Sequence, residues 1–122
     1  MDRVVYMKLA GEKYPLLFSM GALIEICEKY NSLQEAIDLM TKDSTFQTLF
    51  DIAVILSKAG SDYLKLQKKK AQQLTIDQLV FGNPFEIGGG KLHSAVISCI
   101  DAGARQTVEA EENSKNAETA LG

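Results

Sequence analysis

Arg3-Val-Val-Tyr-Met-Lys-Leu-Ala-Gly-Glu-Lys-Tyr-Pro-Leu-Leu-Phe18, continued by Ser19-Met-Gly-Ala-Leu-Ile-Glu-Ile-Cys-Glu-Lys-Tyr30, places two alternating stretches, a glycine turn and a helix start side by side. Centring a two-residue loop on Gly11 and Glu12 pairs Leu9 with Tyr14, Met7 with Leu16 and Val5 with Phe18, so all six share one face. Alternation then sends Val4, Tyr6 and Lys8 to the other face with Pro15 and Leu17. Gly11 at the first loop position suits a type II′ turn, which needs a positive φ there. Pro15 lacks a backbone donor and marks its strand as an edge. Ser19 is placed to cap a helix that carries Met20, Leu23, Cys27 and Tyr30 along one side and stops at Asn31. An isolated hairpin is marginal in water, so this first helix is expected to cover its apolar face.

Capping signals repeat downstream. Ser32 with Glu35 opens a short helix through Leu33, Ala36, Ile37 and Met40. Ser44 with Gln47 opens another through Phe46, Leu49, Phe50, Ala53, Val54 and Leu56, which Gly60 is placed to end. With Ile52 and Ile55 opposite its main stripe, that helix is apolar nearly all round and is expected at the centre of the fold. Ser61 or Asp62 then starts a more polar helix through Tyr63, Leu64 and Leu66 into Lys68, Lys69 and Lys70. Thr75 with Gln78 caps a segment through Ile76, Leu79, Val80 and Phe81, and Gly82, Asn83 and Pro84 break it. A last helix over 91–102 carries Leu92, Ala95, Val96, Cys99 and Ile100, with Gly103 as its stop. The reading is an α+β domain over residues 1–104, a hairpin over 3–18 packed on a small bundle of about five helices from residue 19 onward. A flexible, disordered acidic tail follows over 105–122.

The chain has 122 residues and a formal net charge of -3, with a pI near 5.1, which opposes general affinity for nucleic acid. Its longest apolar run, Leu49 to Leu56, contains Asp51 and falls far short of the roughly 20 residues a membrane span needs. The N-terminus does not read as a secretory leader. Cys27 and Cys99 lie in apolar helical patterns and read as reduced core thiols of a cytoplasmic protein. Apolar neighbours raise a thiol pKa, so neither cysteine reads as a nucleophile. His93 is the one histidine; it has no ligand-spaced partner and reads as a solvent-exposed helix residue. Gly88, Gly89, Gly90 and Lys91 resemble a phosphate loop in composition, but Phe85 and Leu92 stand where that motif needs Gly and Ser or Thr. No catalytic residue, metal ligand or cofactor site is expected, and the chain is read as non-enzymatic.

The run from Gly11 to Tyr30, followed by Ser32-Leu-Gln-Glu-Ala36, resembles the N-terminal part of tail assembly chaperones of long-tailed bacteriophages and prophages. The matching positions are Gly11, Tyr14, Leu16, Phe18, Gly21, Ala22, Leu23, Glu28, Leu33 and Glu35. The resemblance spans roughly the first half of the chain and continues loosely from Thr75 to Gly103. It implies a protein of the host bacterial cytoplasm that binds the tape-measure protein, keeps it in solution, helps recruit tail tube subunits and is left out of the mature virion. It also implies, in many such systems, a longer frameshifted product.

The residues left over after the core is assigned indicate where a partner would bind. Val4, Tyr6 and Leu17 fall on the outer face of the hairpin, and Tyr63, Leu64 and Leu66 on an otherwise polar helix; either set could hold an amphipathic segment. Two alternatives are a scaffold or regulatory module that homo-oligomerises through the edge strand or a helix face, and, further off, a nucleic-acid binder using the lysines from Lys65 to Lys70.

Overall fold

The computed structural model describes residues 3–42 and 46–103; Ser44 and the tail expected over 105–122 lie outside the described residues. The architecture is α+β: β1 (Val5–Leu9) and β2 (Glu12–Leu16), then α1 (Met20–Tyr30), α2 (Leu33–Lys42), α3 (Gln47–Leu66), α4 (Ile76–Val80) and α5 (Pro84–Ile87). A further helical stretch, α6, covers residues 91–103.

The two strands pair antiparallel as Val5 with Leu16, Tyr6 with Pro15, Met7 with Tyr14, Lys8 with Lys13 and Leu9 with Glu12. The loop is therefore Ala10-Gly11 rather than Gly11-Glu12, a register two residues from the expected one. Both loop residues have positive φ, 51° at Ala10 and 80° at Gly11, the pattern of a type I′ turn, which follows the natural twist of the strands. Ala10 is held there by its own N–H, which donates to Glu86 Oε1 at 2.6 Å. Because a slip of two preserves the alternation, Met7, Leu9, Tyr14 and Leu16 still share the buried face.

α3 is the axis of the fold, with Leu49, Ile52, Ala53, Ile55, Leu56 and Leu64 buried along it and with β2, α1, α2 and α4 packed against it. The expected stop at Gly60 and the separate helix after it are not found: α3 runs on through both for 20 residues to Leu66. Gly60 serves a different need. A Cβ on it would lie 2.5 Å from Pro15 O and 3.0 Å from Leu16 N, inside van der Waals contact with the backbone of β2. One residue further along, Leu17 N–H donates to Leu56 O at 3.0 Å. With a two-residue loop, alternation turns the amide groups of residues 15 and 17 away from β1. Pro15 has no N–H to leave unpaired on that side. The exposed edge of β2 is thus closed by a helix backbone, so α3 rather than α1 is the hairpin's main helical partner.

Local caps fix the remaining helices. Ser19 Oγ accepts from Ala22 N–H at 3.1 Å, and Asn31 ends α1 in a positive-φ conformation, its N–H donating to Cys27 O. The buried side of α1 is Ala22 and Ile26, while Met20, expected on that side, is 68% exposed. Tyr30 Oη donates to Asp51 Oδ2 at 2.8 Å and fastens the end of α1 to α3. Ser32 Oγ accepts from Glu35 N–H at the start of α2. α3 begins after Phe46, which has a left-handed backbone and makes no side-chain cap.

Beyond α3 the chain turns back along it. Leu74 is fully buried, and its N–H donates to Ser57 Oγ at 2.6 Å in the interior. The Thr75–Gln78 capping box forms with both of its bonds, and Asn83 Oδ1 with Pro84 starts α5 where only a break was expected. α6 closes the core with Leu92, Val96, Cys99 and Ile100; Gly103 is still helical rather than a stop.

Gly60→Ala tests the seam. In an open helix interior this change would stabilise by up to about 1 kcal/mol. Here the methyl must displace backbone, and a net loss of about 1–3 kcal/mol is expected, read as a lower urea midpoint with an unchanged slope. A more stable variant would contradict the close approach.

Candidate protein-binding surface

No group of three or more His, Cys, Asp or Glu that could hold a metal ion occurs among the described residues. Cys99 is fully buried, and desolvation pushes its thiol pKa up to about 12, against a smaller opposing effect of a backbone hydrogen bond from Phe18. A thiol in that state is not a nucleophile at neutral pH. His93, expected in solvent, is half-buried with Nε2 shut off from water, beside a pocket of about 150 Å³ lined by Met40, Phe46 and Leu49. Among the described residues no helix is long and apolar enough to cross a membrane.

The six apolar residues singled out for a partner separate into two groups. Val4, Leu17 and Leu64 are buried, and of the three only Leu17 borders a groove, at its floor. Leu17 is covered because β2 sits against α3, and Leu64 because the helix continues past Gly60 and turns that position inward. Tyr6, Tyr63 and Leu66 are exposed. Tyr6 stands apart on the outer face of the hairpin, whereas Leu17, Tyr63 and Leu66 meet at a groove of about 300 Å³ between the start of α1 and the second half of α3. The hairpin and the helix near Leu66, taken above as two alternatives, therefore contribute to one depression.

A second apolar surface lies on α4 and α5. Each short helix is pinned on its inner side. Leu79 is buried and Gln78 Nε2 donates to Tyr14 Oη at 3.2 Å; Ile87 is buried and Glu86 Oε1 accepts from Ala10 N–H. Gln72 adds a 2.7 Å bond to Glu12 at the tip of the hairpin. With the inner sides fixed, the outer ones are held in water: Phe85 is 92% exposed, Phe81 85% and Val80 58%. Beside them Phe46 and Phe50 stack with ring centroids 5.9 Å apart, and these two line an apolar depression of about 210 Å³ with Val80, Pro84 and Ile87. Single exposed apolar residues are ordinary; two nearly bare phenylalanines four residues apart, next in the chain to residues that line an apolar depression, form the candidate surface. Sequence reading missed it because Leu79, Val80 and Phe81 together look like one buried stripe; Phe85, next to a turn-forming Asn-Pro, was the available hint.

Compared with known proteins, the chain matches no family model, no curated protein and no solved structure.

The thiols give a direct check on the interior. In the native protein a thiol reagent should modify half-buried Cys27 first and Cys99 only at the rate of global unfolding. Because the folded-state pKa of Cys99 lies above the ordinary 9.0, its contribution to stability is present below pH 9 and is lost as pH rises toward about 12. Rapid labelling of both thiols at neutral pH would contradict the burial of Cys99.

Proposed function

We propose that the chain is a non-enzymatic binding protein that shelters an apolar segment of a partner, and that it works as a tail assembly chaperone of a long-tailed phage or prophage. The observation that carries the binding role is the pair Phe81, directly after α4, and Phe85, on α5, both almost wholly exposed beside helices tied to the hairpin by Gln78 and Glu86. An apolar side of an amphipathic helix laid against Phe81 and Phe85 would cover both rings. Burying two phenylalanines is worth roughly 1.5–3 kcal/mol each. Together that is enough to move a complex from millimolar toward micromolar affinity.

The partner class comes from the resemblance of residues 11–36 to tail assembly chaperones. In this proposal the tape-measure protein supplies the sheltered segment in the host bacterial cytoplasm. Tail tube subunits then displace the chaperone as they polymerise, which leaves it out of the mature virion. A surface of moderate size suits such a role, since the chaperone must hold its client and also release it.

The test is co-expression with the products of neighbouring genes, followed by affinity purification of the wild type and of a Phe81→Ser/Phe85→Ser variant. Wild type should recover a long helical tape-measure-like protein or a tube subunit. The double variant should lose that partner at least about tenfold, with stability held within about 0.5 kcal/mol because both rings are exposed. Recovery of the chain alone as a concentration-dependent oligomer would favour a self-assembling scaffold; retention of the partner by the variant would refute this surface.

A further inference from the structure

We infer that the groove between α1 and α3 is a second docking site, whose occupant is an amphipathic helix of a partner protein with acidic side chains beside its apolar stripe. The inference stands apart from the α4–α5 surface and from the identity of any phage protein. The floor of the groove is apolar, formed by Leu17, Ala22, Ile55 and Ala59, and Tyr63 and Leu66 stand along it. Leu66 is 85% exposed at its far end, an anchor that the described residues leave uncovered. On α3 the lining positions 55, 59, 63 and 66 fall on one stripe. They span roughly 16 Å at 1.5 Å per residue, about three turns of a partner helix.

Charge selects the occupant. Lys58 and Lys65 lie seven residues apart on one edge of that stripe, two turns along the same rim, and both are exposed. The chain then turns sharply at Lys68, which has φ 60°, as Lys68 N–H bonds Lys65 O and Lys69 N–H bonds Leu64 O, each at 3.0 Å. Lys68, Lys69 and Lys70, all exposed, follow Leu66 through this turn. Arg3 and Lys58 line the groove itself, Lys65 follows on the Lys58 edge of α3, and Lys68, Lys69 and Lys70 come soon after Leu66 in the chain. Of the lining residues only Glu25 and Asp62 are acidic, and Asp62 is already met by Lys58 at 3.4 Å. That exposed pair is worth little and exchanges readily for a partner carboxylate. A helix with Asp or Glu at positions seven apart, flanking a Leu stripe, places its charges at the spacing of Lys58 and Lys65. Nucleic acid fits less well: the floor is aliphatic, and Glu25 faces the groove from α1.

The test is a ¹⁵N NMR titration of the full chain with a designed helical peptide carrying Leu at i, i+3, i+4 and i+7 and Glu at flanking positions seven apart. The same peptide with Lys in place of Glu and a single-stranded oligonucleotide serve as comparisons. The acidic peptide should shift the amides of Ala22, Ala59, Tyr63 and Leu66, and its Kd should rise with salt. A Lys65→Glu/Lys68→Glu/Lys69→Glu variant, all exposed positions, should bind it at least about tenfold more weakly and gain affinity for the Lys peptide. Leu66→Ser should weaken both without lowering the melting temperature. The inference is overturned by no shift at about 1 mM peptide, by equal binding of both peptides, by shifts confined to residues 76–88, or by tighter binding of the oligonucleotide.

Discussion

The backbone of β2 rests directly on the backbone of α3, and the missing side chain of Gly60 is what allows it. Two consequences follow from the one close approach. A two-stranded hairpin, too small to be stable alone, gains a helix along its open edge, joined by the Leu17–Leu56 hydrogen bond and with no lost donor at Pro15. The helix in turn is held at its middle, so its second half extends past the hairpin as a rod. Leu64 there faces inward, while Tyr63 and Leu66 face out. The groove against α1 and the lysine-rich end of α3 both depend on that extension; a helix stopping at Gly60 would have neither.

The other surface arises from the opposite arrangement. After Leu66 the chain returns along α3 and is tied to the hairpin by long-range polar bonds, Gln72 to Glu12, Gln78 to Tyr14 and Glu86 to the turn at Ala10. These bonds fix two helices of only five and four residues, which would not persist as free segments. Their buried side chains, Leu79 and Ile87, complete the core. Their outward aromatics remain in water at a cost to solubility that a partner would remove. Exposure of this kind is expected where a protein's work is to meet another surface.

What was legible in the sequence was the chemistry that acts over a few residues. Ser19, Asn31, Ser32 and the Thr75–Gln78 box do in the structure what their neighbours imply, and α3 is central because its apolar residues surround it. What was not legible depends on residues far apart in the chain. A glycine inside a helix and a glycine at its end look alike; the difference at position 60 is made by Pro15, which no local pattern shows. The hairpin register was missed by two because either loop gives Gly11 a positive φ, and the choice rests on Ala10 accepting one as well, with Glu86 bonded to its amide. Of the surface residues, Tyr63 and Leu66 were found by their misfit on a polar helix. Leu17 reads as surface because the α3 backbone against it is not visible in the sequence, and Leu64 because the continuation of α3 past Gly60, which turns it inward, is not visible either; Val4 is buried as well. Phe81 and Phe85 were passed over because an aromatic residue beside a leucine ordinarily reads as core.

Amide hydrogen exchange at Leu17 tests the central seam most directly. If α3 closes the edge of β2, this N–H exchanges as slowly as interior amides of α3 such as that of Leu56, opening only with global unfolding. Exchange at the rate of an unprotected strand edge would show that the hairpin does not rest on the helix, and the account of both surfaces would fall with it.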